Sequence, residues 1–256
     1  MEERVEDWPA LATLTGLQVK IIKKILEVFR RNHLVFLEIN PYVVQKNGVC
    51  FIDMAVEVDD AAIHFAEDWG KEDLIQPPGL APEEQRVKAL GEKSAASFSL
   101  SVLNPDGGLF LLLSGGGASV VVADEAYNQH SKDMLANYGE YSGNPTTEET
   151  YLYTSQLLSL LLASRAKKKV LFVGGAVANF TDVVDTFRGI VQALEERAID
   201  LRRHKVKVYV RRGGPRQEEG LKMIKRCLEK HDLLGAVHGP ELNLAEATIE
   251  AITSLR

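Results

Sequence analysis

Apolar residues in the second half of the chain alternate between short continuous runs and stripes with a spacing of three and four. Val170–Val173 is a continuous run, typical of a strand buried on both faces of a parallel sheet. Gly174 and Gly175 follow it and predict the end of that strand. From Asn179 onward the apolar positions fall on one stripe and predict a helix; they are Phe180, Val183, Val184, Phe187, Ile190, Val191 and Leu194.

The same alternation continues on both sides of this unit. Strands are predicted at 98–103, 109–113, 205–210 and 233–238, and helices up to Leu90, at 118–127, from Thr146 or Thr147 past Leu161, at 217–230, and after a cap formed by Asn243 and Glu246. Residues 104–108 predict a hairpin turn, and 137–143 a polar loop. Strands that alternate with helices predict an α/β, flavodoxin-like, three-layer domain with a parallel sheet.

The first third has a different pattern. A helix is predicted from a cap at Thr15 to Arg31, followed by strands at 34–39 and 49–54. Asn47-Gly48 between these strands is a strong hairpin signal. The region from Asp68 to Gln85 is rich in proline and predicts a linker between two domains.

Composition narrows the class of protein. The chain has 256 residues, of which 45% are hydrophobic and 26% charged, as in an ordinary globular protein. A net charge of −6 with interspersed basic residues argues against nucleic-acid binding. No apolar run approaches the roughly 18 to 20 residues of a membrane span, and the acidic start is unlike a secretory signal, so a cytoplasmic location is expected. Cys50 and Cys227 fit no zinc or disulfide motif, and both are predicted to be core residues.

The predicted strand, turn and helix also suggest an anion site. A helix start exposes free backbone N–H groups, and two glycines let a ligand approach the main chain. Arg212 should lie at the end of the next strand, on the same edge of the sheet, where its guanidinium can hold a carboxylate. Asn179 and Thr181 are further candidate donors. The pattern alone leaves open an ordinary turn, with a helix cap at Asn179 or Thr181 and a solvated Arg212.

The residues themselves are more specific than the pattern. Gly174–Val183 together with Val210–Pro215 closely resembles the citrate-binding domain of ATP-citrate lyase. Three further stretches agree with that family in order and spacing: Gly115–Val120, Leu135–Gly143 and Leu37–Pro41. A more distant likeness is to the β subunit of succinyl-CoA synthetase.

The resemblance implies a reaction and a set of ligands. The family passes a phosphoryl group from a histidine to a citrate carboxylate, forms citryl-CoA and cleaves it to acetyl-CoA and oxaloacetate. The positions that match its citrate ligands are Gly143, Asn179, the main chain of Phe180, Thr181, Arg212 and Arg197, the last occupied by Tyr in some relatives. Citrate is a trianion at neutral pH, so a guanidinium and fixed dipoles suit a phosphoryl transfer between two anions.

Asn40 and Asp53 are candidate metal ligands near the predicted hairpin. Their amide and carboxylate oxygens suit Mg²⁺, and Glu38-Ile39-Asn40-Pro41 followed by Asp53 resembles the last hairpin of an ATP-grasp domain. Residues 1–68 are therefore expected to be the C-terminal remnant of such a domain, 69–97 a linker and 98–256 the citrate-binding domain. The family also places a cation near the loop that matches Ser94 and Ala96, although its Asp is Gly91 here.

The resemblance also implies partners and cofactors. The family's phosphorylated histidine lies in Gly-His-Ala-Gly, which this sequence lacks, so a partner subunit is expected to carry it with the CoA-binding and lyase parts. Mg²⁺ and ATP are expected for the full subunit, since only about 30 residues precede the hairpin here. Because the histidine is expected on a partner, this chain alone should bind citrate without turning it over. The alternatives are a succinyl-CoA-ligase-like β fragment and a non-catalytic binding or assembly module. A dinucleotide-binding oxidoreductase fits poorly, since neither glycine turn reads Gly-x-Gly-x-x-Gly.

Overall fold

A computed structural model describes residues 7–46, 48–74, 79–129 and 134–255 of the chain. The chain forms two compact units, residues 1–77 and 78–256. In the described residues no helix has both the length and the apolar character needed to cross a bilayer.

The described residues of unit 1 form two α-helices and four short strands: α1 Trp8–Thr15, α2 Val19–Arg31, β1 Leu34–Ile39, β2 Tyr42–Gln45, β3 Gly48–Phe51 and β4 Met54–Val58. The prediction that Thr15 caps a helix is wrong, because Thr15 ends α1, and Gly16 follows in the left-handed conformation with φ 68°. The predicted strand 49–54 is broken between β3 and β4. β1 pairs with β4 and β2 pairs with β3, both antiparallel, so the predicted hairpin is present but interrupted. Asn47 of the predicted turn lies outside the described residues.

Unit 2, as far as the structure describes it, has six α-helices and six strands: α3 Pro82–Gly91, β5 Ser97–Val102, β6 Leu109–Ser114, α4 Gly116–Asn128, β7 Asn137–Ser142, α5 Thr147–Ala163, β8 Val170–Val177, α6 Val183–Arg203, β9 Lys207–Gly213, α7 Gln217–Lys230, β10 Leu234–His238 and α8 Leu244–Thr253. The division between the units falls inside the predicted linker 69–97. However, α3 belongs to unit 2, where its Val87 is buried in the core. The connecting segment is therefore shorter than predicted.

The sheet of unit 2 has the strand order β10-β9-β8-β6-β7-β5. β5 is antiparallel to β7 at one edge, and the other five strands are parallel. Numbered along the chain from β6, the parallel strands have the flavodoxin-like order 2-1-3-4-5. One face packs on α5, α6 and α7, and the other on α4 and α8, so the sheet is the middle of three layers. The α/β, flavodoxin-like prediction is confirmed.

Two predictions about the strands of unit 2 are wrong. Residues 104–108 do not form a hairpin between β5 and β6, because β5 pairs with β7 and the backbone around this turn bonds to Met134 and Ala136 instead. Residues 137–142 form β7 rather than a polar loop. Their polar side chains do not prevent this, because the buried Asn137 amide exchanges hydrogen bonds with the main chain of Leu111 at 3.0 and 2.9 Å.

Several local predictions hold. The helix cap at Thr146 is confirmed, and Glu149 completes a capping box with it. The predicted helix 217–230 coincides with α7, and Asn243 caps α8 by accepting from the amide of Ala245. Of the two cysteines, Cys227 is buried as predicted, whereas Cys50 is exposed and the prediction of a core position for it is wrong.

Candidate anion-binding site

The crevice between β6 and β8 lies where the helices change sides. β6 leads to α4 on one face of the sheet, and β8 leads to α6 on the other. Ser114 at the end of β6 pairs with Gly175 in β8. In open α/β sheets, ligands bind beyond the carboxyl ends of the strands at such a switch point. The two glycine runs of the sequence, Gly115–Gly117 and Gly174-Gly175, therefore flank one crevice.

Gly174 and Gly175 do not end the strand, as predicted, but belong to β8, which continues to Val177. Their small size is required by close packing rather than by a turn. A Cβ atom on Gly175 would lie 2.6 Å from Nη1 of Arg212 and 2.9 Å from the carbonyl oxygen of Ser114. Gly175 therefore makes the space that the Arg212 guanidinium fills.

Arg212 is buried at the carboxyl end of β9, with 3% of its surface exposed. Its Nη1 donates to the carbonyl oxygen of Ala176 at 2.7 Å, and its Nε is buried without a hydrogen-bond partner among the described residues. Burial lowers the pKa of Arg212, and nearby Tyr141 opposes that effect. Arginine nevertheless keeps its proton, so the crevice contains a buried positive charge, and Arg212 forms no ion pair with a carboxylate in the described part of the chain.

The helix that follows β8 starts later than predicted. α6 begins at Val183, and its cap is Asp182 rather than Asn179 or Thr181. The Asp182 carboxylate accepts from the amides of Val184 and Asp185 at 2.8 and 3.1 Å. The helix start is thus already occupied by a carboxylate of the chain, and the prediction that its N–H groups are free is wrong.

Free donors lie just before the helix instead. The backbone N–H groups of Asn179, Phe180 and Thr181 make no hydrogen bond within the described ranges. The side chain of Thr181 is 8% exposed, whereas Asn179 and Phe180 are exposed at the surface. Three consecutive amides without partners form a local concentration of donors for an anion.

The loop with Gly143 is held against the same segment. Gly143 has φ 81°, and the next residue, Asn144, accepts a hydrogen bond on its Oδ1 from the amide of Asp182 at 3.3 Å. The end of β9, which contains Arg212, is also bonded to the segment that leads into residues 179–181, because the amide of Ala178 donates to the carbonyl of Gly213 at 3.0 Å. The structure therefore brings Gly143, the 179–181 loop and the end of β9 together.

Arg197 is not brought to this crevice. It is exposed on α6, 15 residues after the cap, which corresponds to roughly 22 Å along the helix axis. The helix that positions the loop thus carries Arg197 toward the opposite edge of the sheet. A role of Arg197 in citrate binding stays a prediction.

Asn40 and Asp53 face each other where the interrupted hairpin of unit 1 bends. The amide of Asn40 donates to the carbonyl of Asp53 at 3.2 Å, and Oδ1 of Asp53 accepts from the amide of Met54 at 2.9 Å. Both residues are exposed. One carboxylate and one amide fit Mg²⁺ that takes its other ligands from phosphate and water, so these residues suit the predicted metal.

Ser94 and Ala96 lie in unit 2, between α3 and β5, and fit a cation less well. Oγ of Ser94 accepts from the amide of Ala96 at 2.9 Å. The nearby Glu149 carboxylate already accepts from the amide and hydroxyl of Thr146 in the cap of α5. Gly91 stands in place of the family's Asp, and Glu149 has a capping role, so the site stays a prediction.

Glu140, Tyr141 and Asn144 were not identified from the sequence. Glu140 lies beside Gly116 at the start of α4; burial raises its pKa, and its Oε2 has no hydrogen-bond partner in the described residues. Tyr141 is buried next to Arg212. Both positions are hidden in a segment that its polar composition predicted to be a loop. Burial alternates along β7 in the structure, but the residue types of this segment do not show that alternation, so the sequence offered no signal for it.

Comparisons with known proteins identify the family of the chain. Residues 79–254 match the family model described as ATP citrate lyase citrate-binding. A probable ATP-citrate synthase of Caenorhabditis elegans is 38% identical over 240 residues, which cover 88% of this chain and 22% of that protein. The ATP-citrate synthase alpha chain protein 1 of Arabidopsis thaliana is 36% identical over 253 residues, 95% of this chain and 60% of that protein.

A solved structure of ATP citrate lyase from Methanothrix soehngenii, in complex with citrate and coenzyme A, superposes with a TM-score of 0.73 at 38% identity. The superposition covers 92% of the present chain and 58% of the Methanothrix soehngenii chain. The present chain thus spans between about a fifth and three fifths of the length of these relatives. The matched residues include the whole crevice of unit 2, and the chain belongs to the ATP citrate lyase citrate-binding family.

Proposed function

We propose that this chain is the citrate-binding part of an ATP-citrate lyase and that it holds citrate in the crevice between β6 and β8. The observation that carries the proposal is the buried guanidinium of Arg212, whose Nε has neither a hydrogen-bond partner nor a paired carboxylate among the residues that the structure describes. A buried charge without a counter-ion destabilises a protein unless a ligand neutralises it. An anionic ligand is therefore the natural partner of this residue.

The surrounding donors select a ligand with several negative groups. Arg212 binds one carboxylate from the sheet edge, and the amides of residues 179–181 and of Gly143 bind others from the two loops. The hydroxyl of the nearly buried Thr181 is a further donor. Citrate carries three carboxylates and one hydroxyl, which matches donors that approach from three sides. The Asp182 carboxylate is turned to its own helix and to Arg216, so it does not occupy this space.

The same donors also serve the reaction. Transfer of a phosphoryl group to a citrate carboxylate brings two anions together, and donors fixed by the fold stabilise the charge without rearranging. In the whole enzyme ATP with Mg²⁺ supplies the phosphoryl group, and CoA accepts the citryl group. We place the phosphorylated histidine and the CoA site on a partner subunit, and the role of this chain is to bind and orient citrate.

Isothermal titration calorimetry on the purified chain tests the proposal. Citrate should bind with one site per chain and more tightly than succinate, which lacks the third carboxylate and the hydroxyl. Stronger binding of succinate would favour a succinyl-CoA-ligase-like function, and absence of binding by either would favour an assembly module. Adding a lyase partner, ATP and CoA then tests turnover, which the chain alone should not show.

A further inference from the structure

A second group of ligand-forming side chains lies between α6 and α7, away from the crevice. Glu195 on α6, Cys227 on α7 and His231 at the end of α7 bring a carboxylate oxygen, a sulfur and a ring nitrogen within 4.8 Å of one another. Glu195 is 13 residues from the cap of α6, roughly 20 Å along the axis. These residues therefore take no part in holding an anion in the crevice.

The geometry points to a zinc site formed by Glu195, Cys227 and His231, with water as the fourth ligand. Cys227 and His231 are four positions apart, so they project from the same side of one helix end. Glu195 reaches them from the neighbouring helix. Sequence motifs for zinc missed this group because only two of its members are close in the chain.

The ring of His231 has a nitrogen that is available to bind a metal ion. Its Nε2 is buried and has no hydrogen-bond partner within the described ranges, although Oε1 of Glu195 is 3.5 Å away. A buried ring nitrogen without a partner destabilises the fold. Neutral imidazole binds metal ions through such a nitrogen, so a bound metal would remove this cost.

The donor set selects the metal. A thiolate, an imidazole and a carboxylate suit Zn²⁺, whereas Mg²⁺ and Ca²⁺ prefer oxygen ligands alone. Tetrahedral zinc places its ligand atoms about 3.3 to 3.8 Å apart, as follows from bond lengths near 2.0 to 2.3 Å. The three atoms must therefore approach by up to about 1.5 Å. The Glu195 side chain is 43% exposed and can make that movement once it separates from Lys230.

Two features govern access to the site. A cavity of about 470 Å³ in the groove between α6 and α7 is lined by Glu195, Cys227 and Lys230, and it connects the thiol to solvent. Nζ of Lys230 lies 2.9 Å from Oε1 of Glu195 and competes with the metal for this carboxylate. Lys230 is 66% exposed and can turn to solvent. On binding, the S–H bond of Cys227 breaks, sulfur binds Zn²⁺, and the proton passes to the buffer.

Titration of the reduced, metal-free full chain with Co²⁺ tests the site, because a cobalt–thiolate bond gives a charge-transfer absorption band. The wild type should show the band at one Co²⁺ per chain, and Zn²⁺ should abolish it. Cys227→Ser and His231→Ala should lose the band, and the matched variant Cys50→Ser, which changes an exposed cysteine in unit 1, should retain it.

Two variants with exposed side chains keep the test valid if Cys227→Ser does not fold. Glu195→Gln should bind Zn²⁺ at least about tenfold more weakly, since even groups outside the ligand set typically cost roughly 10- to 100-fold. Lys230→Met should bind it more tightly, because the competing ammonium is gone. No thiolate band in the wild type, a band lost in Cys50→Ser, or unchanged zinc affinity in both Glu195→Gln and His231→Ala would overturn the site. Citrate binding is unaffected by any of these outcomes, so the two proposals are tested separately.

Discussion

Arg211 and Arg212 are consecutive in β9, and their side chains lie on opposite faces of the sheet. Arg211 makes more hydrogen bonds than Arg212. The Arg211 guanidinium donates to three backbone carbonyl groups, those of Leu242, Gly175 and Pro240. The Arg212 guanidinium donates to one carbonyl and retains a buried Nε without a partner in the described chain. Arg211 therefore holds the sheet edge together, and Arg212 is available to a ligand.

Replacement of Arg212 by Met should separate ligand binding from stability. Met fills similar volume without the charge, so citrate binding should weaken by about 1.5 to 3 kcal/mol, or roughly 10- to 150-fold. The free energy of unfolding should stay equal to that of the wild type or rise, because a buried charge without a counter-ion is removed. Calorimetry with citrate and urea unfolding measure the two effects. Citrate binding of wild-type strength in this variant would contradict the site.

Replacement of Arg211 by Met should have the opposite profile. Three carbonyl oxygens lose their donor, and each one left buried and unsatisfied costs about 1 to 3 kcal/mol. We expect the free energy of unfolding to fall by at least about 2 kcal/mol in urea unfolding. Arg203→Met, an exposed change at the far end of α6, should stay within about 0.5 kcal/mol of the wild type. A smaller loss for Arg211→Met than for Arg212→Met would reverse the roles assigned to the two residues.

The sequence predicts most helices and strands of unit 2 because its apolar patterns are strong. β6 is buried along its whole length and appears as a continuous apolar run, and α7 has a clear apolar stripe whose Ile224, Cys227 and Leu228 are buried. The strand order is not visible in such patterns. A turn between two apolar runs looks the same whether the runs pair with each other or, as β5 and β6 do, lie apart with β7 between them.

The errors at the site have a common physical cause. β7 contains a buried Asn137 and a buried Gly139, which composition assigns to a loop and which only contacts to distant residues explain. Gly139 is required because a Cβ there would lie 2.7 Å from the carbonyl oxygen of Ser99 and from the hydroxyl of Tyr153. Similarly, the pattern predicts a turn at Gly174-Gly175, whereas Gly174 packs against Phe172 and Leu113, and Gly175 makes room for Arg212. Local rules cannot identify a glycine whose reason lies on another strand.

Replacement of Gly175 by Ala tests this explanation. The added methyl group would lie 2.6 Å from Nη1 of Arg212 and 2.9 Å from the carbonyl oxygen of Ser114, so the guanidinium or the strand must move. We expect a loss of about 1 to 3 kcal/mol in the free energy of unfolding. Citrate binding should weaken with it, because Arg212 is displaced. Urea unfolding and calorimetry measure both.

Gly117→Ala is the matched control for that change. Gly117 lies in the first turn of α4, and a Cβ there would meet nothing within 4 Å. Because alanine has the higher helix propensity, this variant should be neutral or more stable by up to about 1 kcal/mol. Equal destabilisation by the two substitutions would show that close packing on Arg212 does not explain Gly175.

Replacement of Asp182 by Asn should reduce stability in a way that depends on pH. Burial alone would raise the pKa of Asp182, but the amides of Asp185 and Val184 and the Arg216 guanidinium hold it below its ordinary value. A carboxyl group whose pKa is lower in the folded state stabilises the protein above its unfolded pKa, near 4, and loses that contribution as the pH falls through the folded pKa. Asn is also a good helix cap, so the substitution removes the charge and keeps the cap.

We therefore expect Asp182→Asn to be less stable than the wild type at neutral pH by about 0.3 to 1 kcal/mol, the usual contribution of a charge at a helix start. The difference should shrink as urea unfolding is repeated from neutral pH to below about 4 and through the lowered folded pKa of Asp182, where its carboxylate becomes protonated. Asp200→Asn, which removes an exposed carboxylate near the other end of α6, controls for the change in net charge. A stability difference that is constant across this range would show that the charge of Asp182, and its pairing with Arg216, does not stabilise the start of α6.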